Sequence, residues 1–220
     1  MKNVKAIIFD AYGTLFDVNS AAEKCKDKIG DKWEGFANYW RTTQLEYTWL
    51  RSLMDRHKDF WQVTEDSLDK SMKAFKIDSS MRGELLDLYK ILSTFPEVKE
   101  VLNNLKKKNY KLAILSNGTP SLLNELVKSN NLESIFDDIF SIEEVGIYKP
   151  SSKVYDIPVK KFKIQKNEVV FLSANTWDVS GGGNYGYYSV WVNRNNNIFD
   201  SLDYIPQNQV KNLGELLDLI

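Results

Sequence analysis

The chain has 220 residues, 43% of them hydrophobic and 27% charged, and its 29 Lys and Arg against 30 Asp and Glu leave a net charge of −1. It lacks the basic excess of a nucleic-acid binder. One cysteine and one histidine, Cys25 and His57, exclude an internal disulfide, a thiolate metal cage and any scheme that needs two histidines.

No apolar run reaches the ~18 residues of a membrane span. The stretch Met1–Phe16 carries Asp10 in its only apolar run, so it does not read as a signal peptide. The expectation is a protein of the reducing cytoplasm with no nucleic-acid or membrane partner. In chain order, Val4–Phe9 is a short apolar run that stops at Asp10 and opens into Ala11-Tyr12-Gly13-Thr14. That pattern predicts a buried strand feeding a loop. Between Val18 and Leu92 the spacing turns helical: Trp33, Phe36, Ala37 and Trp40 share one face, and Leu45, Trp49 and Leu53 another, followed by Phe60, Trp61, Leu85, Leu86, Leu88 and Tyr89. This segment reads as a helical cap, residues 18–92, inserted after the first strand of a core formed by residues 1–17 and 93–220. Its aromatic stripe fits internal packing; a dimer face has the same periodicity.

Apolar runs resume at Tyr110–Leu115, Glu168–Leu172 and Tyr187–Val192. Helical stretches lie between them, at Val98–Lys108 and at Pro120–Lys128, the latter with Pro in its first turn. Strands alternating with helices predict an α/β fold: a Rossmann-like, mostly parallel sheet with the cap as an insertion. Asn193–Asn197 reads as a polar surface loop, and Gly181-Gly182-Gly183 as a flexible turn.

Parallel sheets bind ligands at the carboxyl ends of their strands. Asp10 and Thr14 follow the first strand; Ser116, Asn117 and Gly118 the second; Ser173, Asn175 and Asp178 the third. Apolar strands have no packing need to end in buried hydroxyls, amides and acids, so three such ends on one edge predict a site. Lys149, held out of a helix by Pro150, is the cation able to reach between Asp10 and Asp178 and favour the charged carboxylate. An ionised carboxylate in a dry pocket is a competent nucleophile.

Four segments together resemble the motifs of the haloacid dehalogenase superfamily: Phe9–Asp17, Ser116-Asn117-Gly118, Lys149-Pro150 and Ser173–Asp178. Within it they are similar to the L-2-haloacid dehalogenases. Phosphatase members carry a second Asp two residues after the nucleophile, where this chain has Tyr12, and place acids in the fourth motif, where it has Ser173 and Asn175. The resemblance implies hydrolysis of short (S)-2-haloalkanoates to (R)-2-hydroxyacids, without metal or cofactor, through an ester on Asp10. It implies that Ser116 and the Ala11–Tyr12 backbone hold the substrate carboxylate, and that Arg41 of the cap and Asn117 receive the halide. Asp178 would activate water with Lys149, Ser173 and Asn175. Thr14 and Tyr155 would support the nucleophile and Lys149, and Tyr12, Leu45, Phe60 and Trp177 would wall the pocket. Family members are often homodimers. A magnesium-dependent phosphatase and a non-catalytic binding protein of the same fold are the alternatives.

Two positions depart from the pattern. Thr42 stands where related enzymes often have Gln, and Pro158 interrupts the helix expected at Ser152–Phe162, so a kink or a late start of that helix, either of which shifts Tyr155, is expected.

Overall fold

The computed structural model describes residues 3–220. Met1 and Lys2, at the head of the 1–17 core segment, lie outside the described residues. The chain enters through β1 (Ala6–Phe9), every residue of which is buried. The insertion follows, with α1 (Ser20–Lys24), α2 (Lys26–Ile29), α3 (Trp33–Leu53), α4 (Phe60–Phe75) and α5 (Arg82–Lys90). The return runs through α6 (Val98–Lys107), β2 (Lys111–Ser116), α7 (Pro120–Ser129), β3 (Asp138–Ser141), α8 (Ser152–Phe162), β4 (Val169–Ser173), α9 (Thr176–Tyr185), β5 (Tyr188–Val192) and β6 (Asn208–Val210). No helix among the described residues is long and apolar enough to cross a membrane.

All six strands are parallel, in the order β3-β2-β1-β4-β5-β6. The chain builds outward from β1 to β3, then crosses back and builds outward on the other side from β4 to β6. The direction reverses between β1 and β4, whose registers pair Phe9 with Leu172. That gap is where such sheets bind ligands, and Asp10 and Ser173 stand at its lip. The two connections to the insertion lie side by side: Asp17 N–H donates to Ser93 O at 2.8 Å, and Phe16 bridges Thr94.

Local chemistry accounts for the helices. Asp59 and Thr119 cap α4 and α7 through their side-chain oxygens, and Pro120 opens α7 where its missing N–H costs nothing. In α6 the periodic residues Val98, Val101, Leu102 and Leu105 are all buried. Helix α3 crosses the whole cap and packs along α4, with Trp40 Nε1–H donating to Thr64 O at 3.1 Å.

Three expectations are revised. Pro158 lies inside α8, which begins at Ser152 rather than late; the proline removes the hydrogen bond to Val154 O, one turn earlier. The three glycines form part of α9, not a flexible turn. A Cβ on Gly181 would strike the Tyr155 hydroxyl, one on Gly182 would come within 2.7 Å of Phe171, and one on Gly183 would strike Tyr204. These glycines permit close approach of α9 to β4 and α8. The polar loop is exposed at Asn195–Asn197, as expected, but Asn193 is buried and closes the turn by exchanging two hydrogen bonds with the Asn197 backbone.

Candidate active site

The sheet's switch point gathers the strand-end residues around Asp10. Its Oδ2 accepts from Thr14 Oγ1 at 3.0 Å and Asn175 Nδ2 at 2.9 Å, with Ser173 Oγ at 3.5 Å. Its Oδ1 accepts from Lys149 Nζ at 3.1 Å. Lys149 arrives from the loop after β3, where its backbone N–H donates to Asn117 Oδ1 and its peptide bond to Pro150 is cis. The same ammonium donates to Asp178 Oδ2 at 2.9 Å, so it bridges two buried carboxylates. Tyr155, on α8, donates to Asp178 Oδ1 at 2.7 Å.

The electrostatics follow from burial. Loss of water disfavours the Lys149 ammonium, but the charges of Asp10 and Asp178 outweigh it and raise its pKa. Burial and the Asp10 charge push the Asp178 carboxyl up to about 6, against the pull of Lys149 and Tyr155. Burial and the Asp178 charge push the Tyr155 phenol well up, so it remains a neutral donor.

The Asp10–Phe16 loop wraps one carbonyl: Ala11 O accepts the N–H groups of Thr14, Leu15 and Phe16. The N–H groups of Ala11 and Tyr12, both in buried residues, have no protein acceptor among the described residues. Buried donors of this kind are rare outside ligand sites. At the end of β2, Ser116 Oγ accepts from Gly118 N–H, which leaves its own hydrogen to donate. Asn117 uses its carbonyl on Lys149 N–H and keeps its NH2 as a donor.

The cap closes over this edge. The Tyr12 ring lies 5.1 Å from Phe60 of α4 and stacks on Tyr89 of α5 at 5.7 Å. Arg41, half-buried on α3, lines a cavity of about 320 Å³ together with Asn175 of the core. Burial raises the Tyr12 phenol; the Arg41 charge lowers it and the Asp10 charge raises it, as both also do for Tyr89. The charges of Arg41 and Asp10 thus both reach the Tyr12 and Tyr89 rings. Trp177 meets the cap differently, edge-on to Trp49 of α3 at 5.4 Å. Leu45 is half-buried one turn from Arg41; its carbonyl accepts from Thr48 Oγ1 within α3.

A family model described as haloacid dehalogenase-like hydrolase matches residues 4–186. An (S)-2-haloacid dehalogenase of Pseudomonas fluorescens is 37% identical, over 98% of this chain and 96% of its own length. The chain belongs to the (S)-2-haloacid dehalogenase family. Solved structures of this family superpose over the whole fold. The L-2-haloacid dehalogenase from Xanthobacter autotrophicus with chloropropionic acid covalently bound has a TM-score of 0.91 at 31% identity, over 98% of each chain. A dehalogenase with an intermediate complex reaches 0.98 at 35% identity, over all of this chain and 98% of that one.

Four residues beyond the expected site residues brace the candidate site. Gln44 and Tyr89 hold the Arg41 side of the cap. Arg194 donates from Nη2 to Thr14 O at 2.9 Å and pairs with Glu97 at 2.6 Å, which pins the Asp10–Phe16 loop from behind. Ser141 Oγ donates to Gly118 O at 2.6 Å and braces the end of β2. Of these, Tyr89 was marked in the sequence by its place in the cap's helical spacing; Gln44, Arg194 and Ser141 were not.

Proposed function

We propose that the chain hydrolyses short (S)-2-haloalkanoates to (R)-2-hydroxyacids through an ester on Asp10. The observation that carries this reading is the Lys149 ammonium seated between Asp10 and Asp178. It fills the space between the two acids with the chain's own cation, 3.1 Å from Asp10 Oδ1 and 2.9 Å from Asp178 Oδ2.

The substrate carboxylate fits the unpartnered Ala11 and Tyr12 N–H groups and the Ser116 hydroxyl. Asp10 attacks C2 opposite the carbon–halogen bond, the halide leaves with the bonding pair, and the centre inverts. The Arg41 guanidinium and the Asn117 NH2 face the departing anion; a guanidinium keeps its charge at any working pH. Tyr12, Phe60, Leu45 and Trp177 are the apolar wall around C2 in this scheme.

In the second step a water attacks the ester carbonyl carbon of Asp10. Asp178 accepts its proton, oriented by Tyr155 and Lys149. Thr14, Ser173 and Asn175 hold the Asp10 oxygens as charge develops. The acyl–oxygen bond breaks, the departing alkoxide takes the proton from Asp178 and leaves as the inverted hydroxyacid, and Asp10 releases the second water proton to solvent to restore its carboxylate.

We take residues 18–92 as the cap and 1–17 with 93–220 as the core. A homodimer through the outer face of α3, where Leu50, Leu53 and Met54 are exposed, and a reducing cytoplasm, in keeping with the lone buried Cys25, complete the proposal. Light scattering of the purified chain tests the dimer.

The test of function is halide release from each enantiomer of 2-chloropropionate, with and without a chelator. Chloride from the S form alone, unaffected by chelator and accompanied by (R)-lactate, is the expected result. No chloride from either enantiomer overturns the proposal, and activity abolished by chelator favours a metal-dependent hydrolase of the same fold.

A further inference from the structure

Behind Arg41 the cap holds a closed polar cluster that the mechanism above does not use. Gln44 lies one turn along α3 and is 1% exposed. Its Oε1 accepts from Arg41 Nη1 at 2.9 Å and from Tyr89 OH at 3.3 Å. Its Nε2 donates to Thr64 Oγ1 at 2.7 Å and lies 3.0 Å from Tyr89 OH. Thr64 in turn donates to Phe60 O at 2.7 Å. One amide therefore ties together α3, α4 and α5.

The orientation of that amide is fixed at both ends. A guanidinium only donates, so the oxygen end must face Arg41. The Thr64 hydroxyl gives its hydrogen to Phe60 O, so it must accept, and the nitrogen end faces Thr64. A buried glutamine with both ends committed is costly to rotate. The far side of the cluster reaches the pocket wall, because Tyr89 stacks on Tyr12 and Phe60 carries the carbonyl that Thr64 holds.

We propose that Gln44 is the positioning residue for the leaving group: it fixes the Arg41 guanidinium where the halide departs and couples that placement to the Tyr12–Phe60 wall. This rests on the dehalogenase reading above. Gln44 does not touch substrate; it acts through Arg41. A donor that must meet charge developing at one point loses much of its effect when displaced by an ångström. Chloride, the poorer leaving group with the more localised charge, depends on that placement more than bromide.

The test is single-turnover kinetics with (S)-2-chloropropionate and (S)-2-bromopropionate, following halide release and ester hydrolysis separately. Gln44→Met keeps the side chain's length and removes both hydrogen-bonding ends. Chloride release falls about tenfold or more, bromide release falls less, and the ester hydrolyses at about the wild-type rate. Tyr89→Phe keeps the ring and its stack on Tyr12 and shifts the chloride-to-bromide ratio in the same direction by a smaller factor. An unchanged ratio in Gln44→Met overturns the proposal, whether or not both rates fall together, since lost structure slows both halides alike. If Gln44→Met does not fold, a wild-type ratio in Tyr89→Phe overturns it. Wild-type protein that releases no halide refutes the dehalogenase reading instead.

Discussion

Replacing Lys149 with Met tests the bridge between the two acids. The ammonium is fully buried, 3.1 Å from Asp10 Oδ1 and 2.9 Å from Asp178 Oδ2. At an effective dielectric of about 20, each contact near 3 Å is worth about 5 kcal/mol of attraction, which offsets the cost of taking three charges out of water. Removing the lysine leaves two buried carboxylates facing each other, at a cost of about 3–5 kcal/mol. For a chain of this length that lowers the melting temperature by about 6–20 °C. Without the lysine, the Asp178 carboxyl moves up from about 6 and is protonated at neutral pH. A folded-state pKa above the unfolded one contributes stability at low pH that is lost as pH rises through the folded value. The melting gap between wild type and Lys149→Met therefore widens from pH 5 to pH 8. Thermal melts across that range, with halide release at each pH, measure both effects, and halide release in the variant falls by about a thousandfold or more. A variant that melts within about 2 °C of wild type at pH 8 and turns over within about tenfold of it refutes the reasoning.

Two further outcomes follow from the same geometry. Asp178 takes a proton from water only as the carboxylate, and once Asp10 is esterified the charge that helps raise Asp178 to about 6 is gone, so ester hydrolysis is flat through neutral pH and falls about tenfold per pH unit only at a pH below about 6; a rapid-quench pH profile that rises toward acid pH contradicts the assignment. Tyr155→Phe removes the 2.7 Å hydrogen bond to Asp178 Oδ1, worth about 1.5–3 kcal/mol to a charged acceptor. It slows ester hydrolysis about tenfold or more while halide release is kept, so mass spectrometry of the intact chain finds the ester accumulated; equal loss of both steps argues against this role.

The strands that build the site were legible because burial on both faces demands unbroken apolar runs. Those runs end abruptly in Asp10, Ser116 and Ser173, and the four segments that form this edge are also those that resemble the dehalogenases. β3 and β6 left no such signal: Asp138–Ser141 and Asn208–Val210 are short, sit at the two edges of the sheet and are partly exposed. Lys149 could be placed near Asp10 across 139 positions because its charge and the proline after it narrow its roles. Thr64 and Tyr89 could not be placed near Gln44, since polar residues 20 and 45 positions apart meet only once three helices have docked. The glycines of α9 look permissive in sequence; the packing of Tyr155 and Phe171 against them shows that they are there to admit neighbours.

A single turnover in heavy-oxygen water, with more enzyme than (S)-2-chloropropionate, probes the Asp10 ester most directly. Water that attacks the ester carbonyl leaves its oxygen in the Asp10 carboxylate and releases unlabelled (R)-lactate, with the label found in the peptide that contains Asp10. Labelled lactate from the first turnover, with no label on Asp10, would mean that water attacks C2 itself.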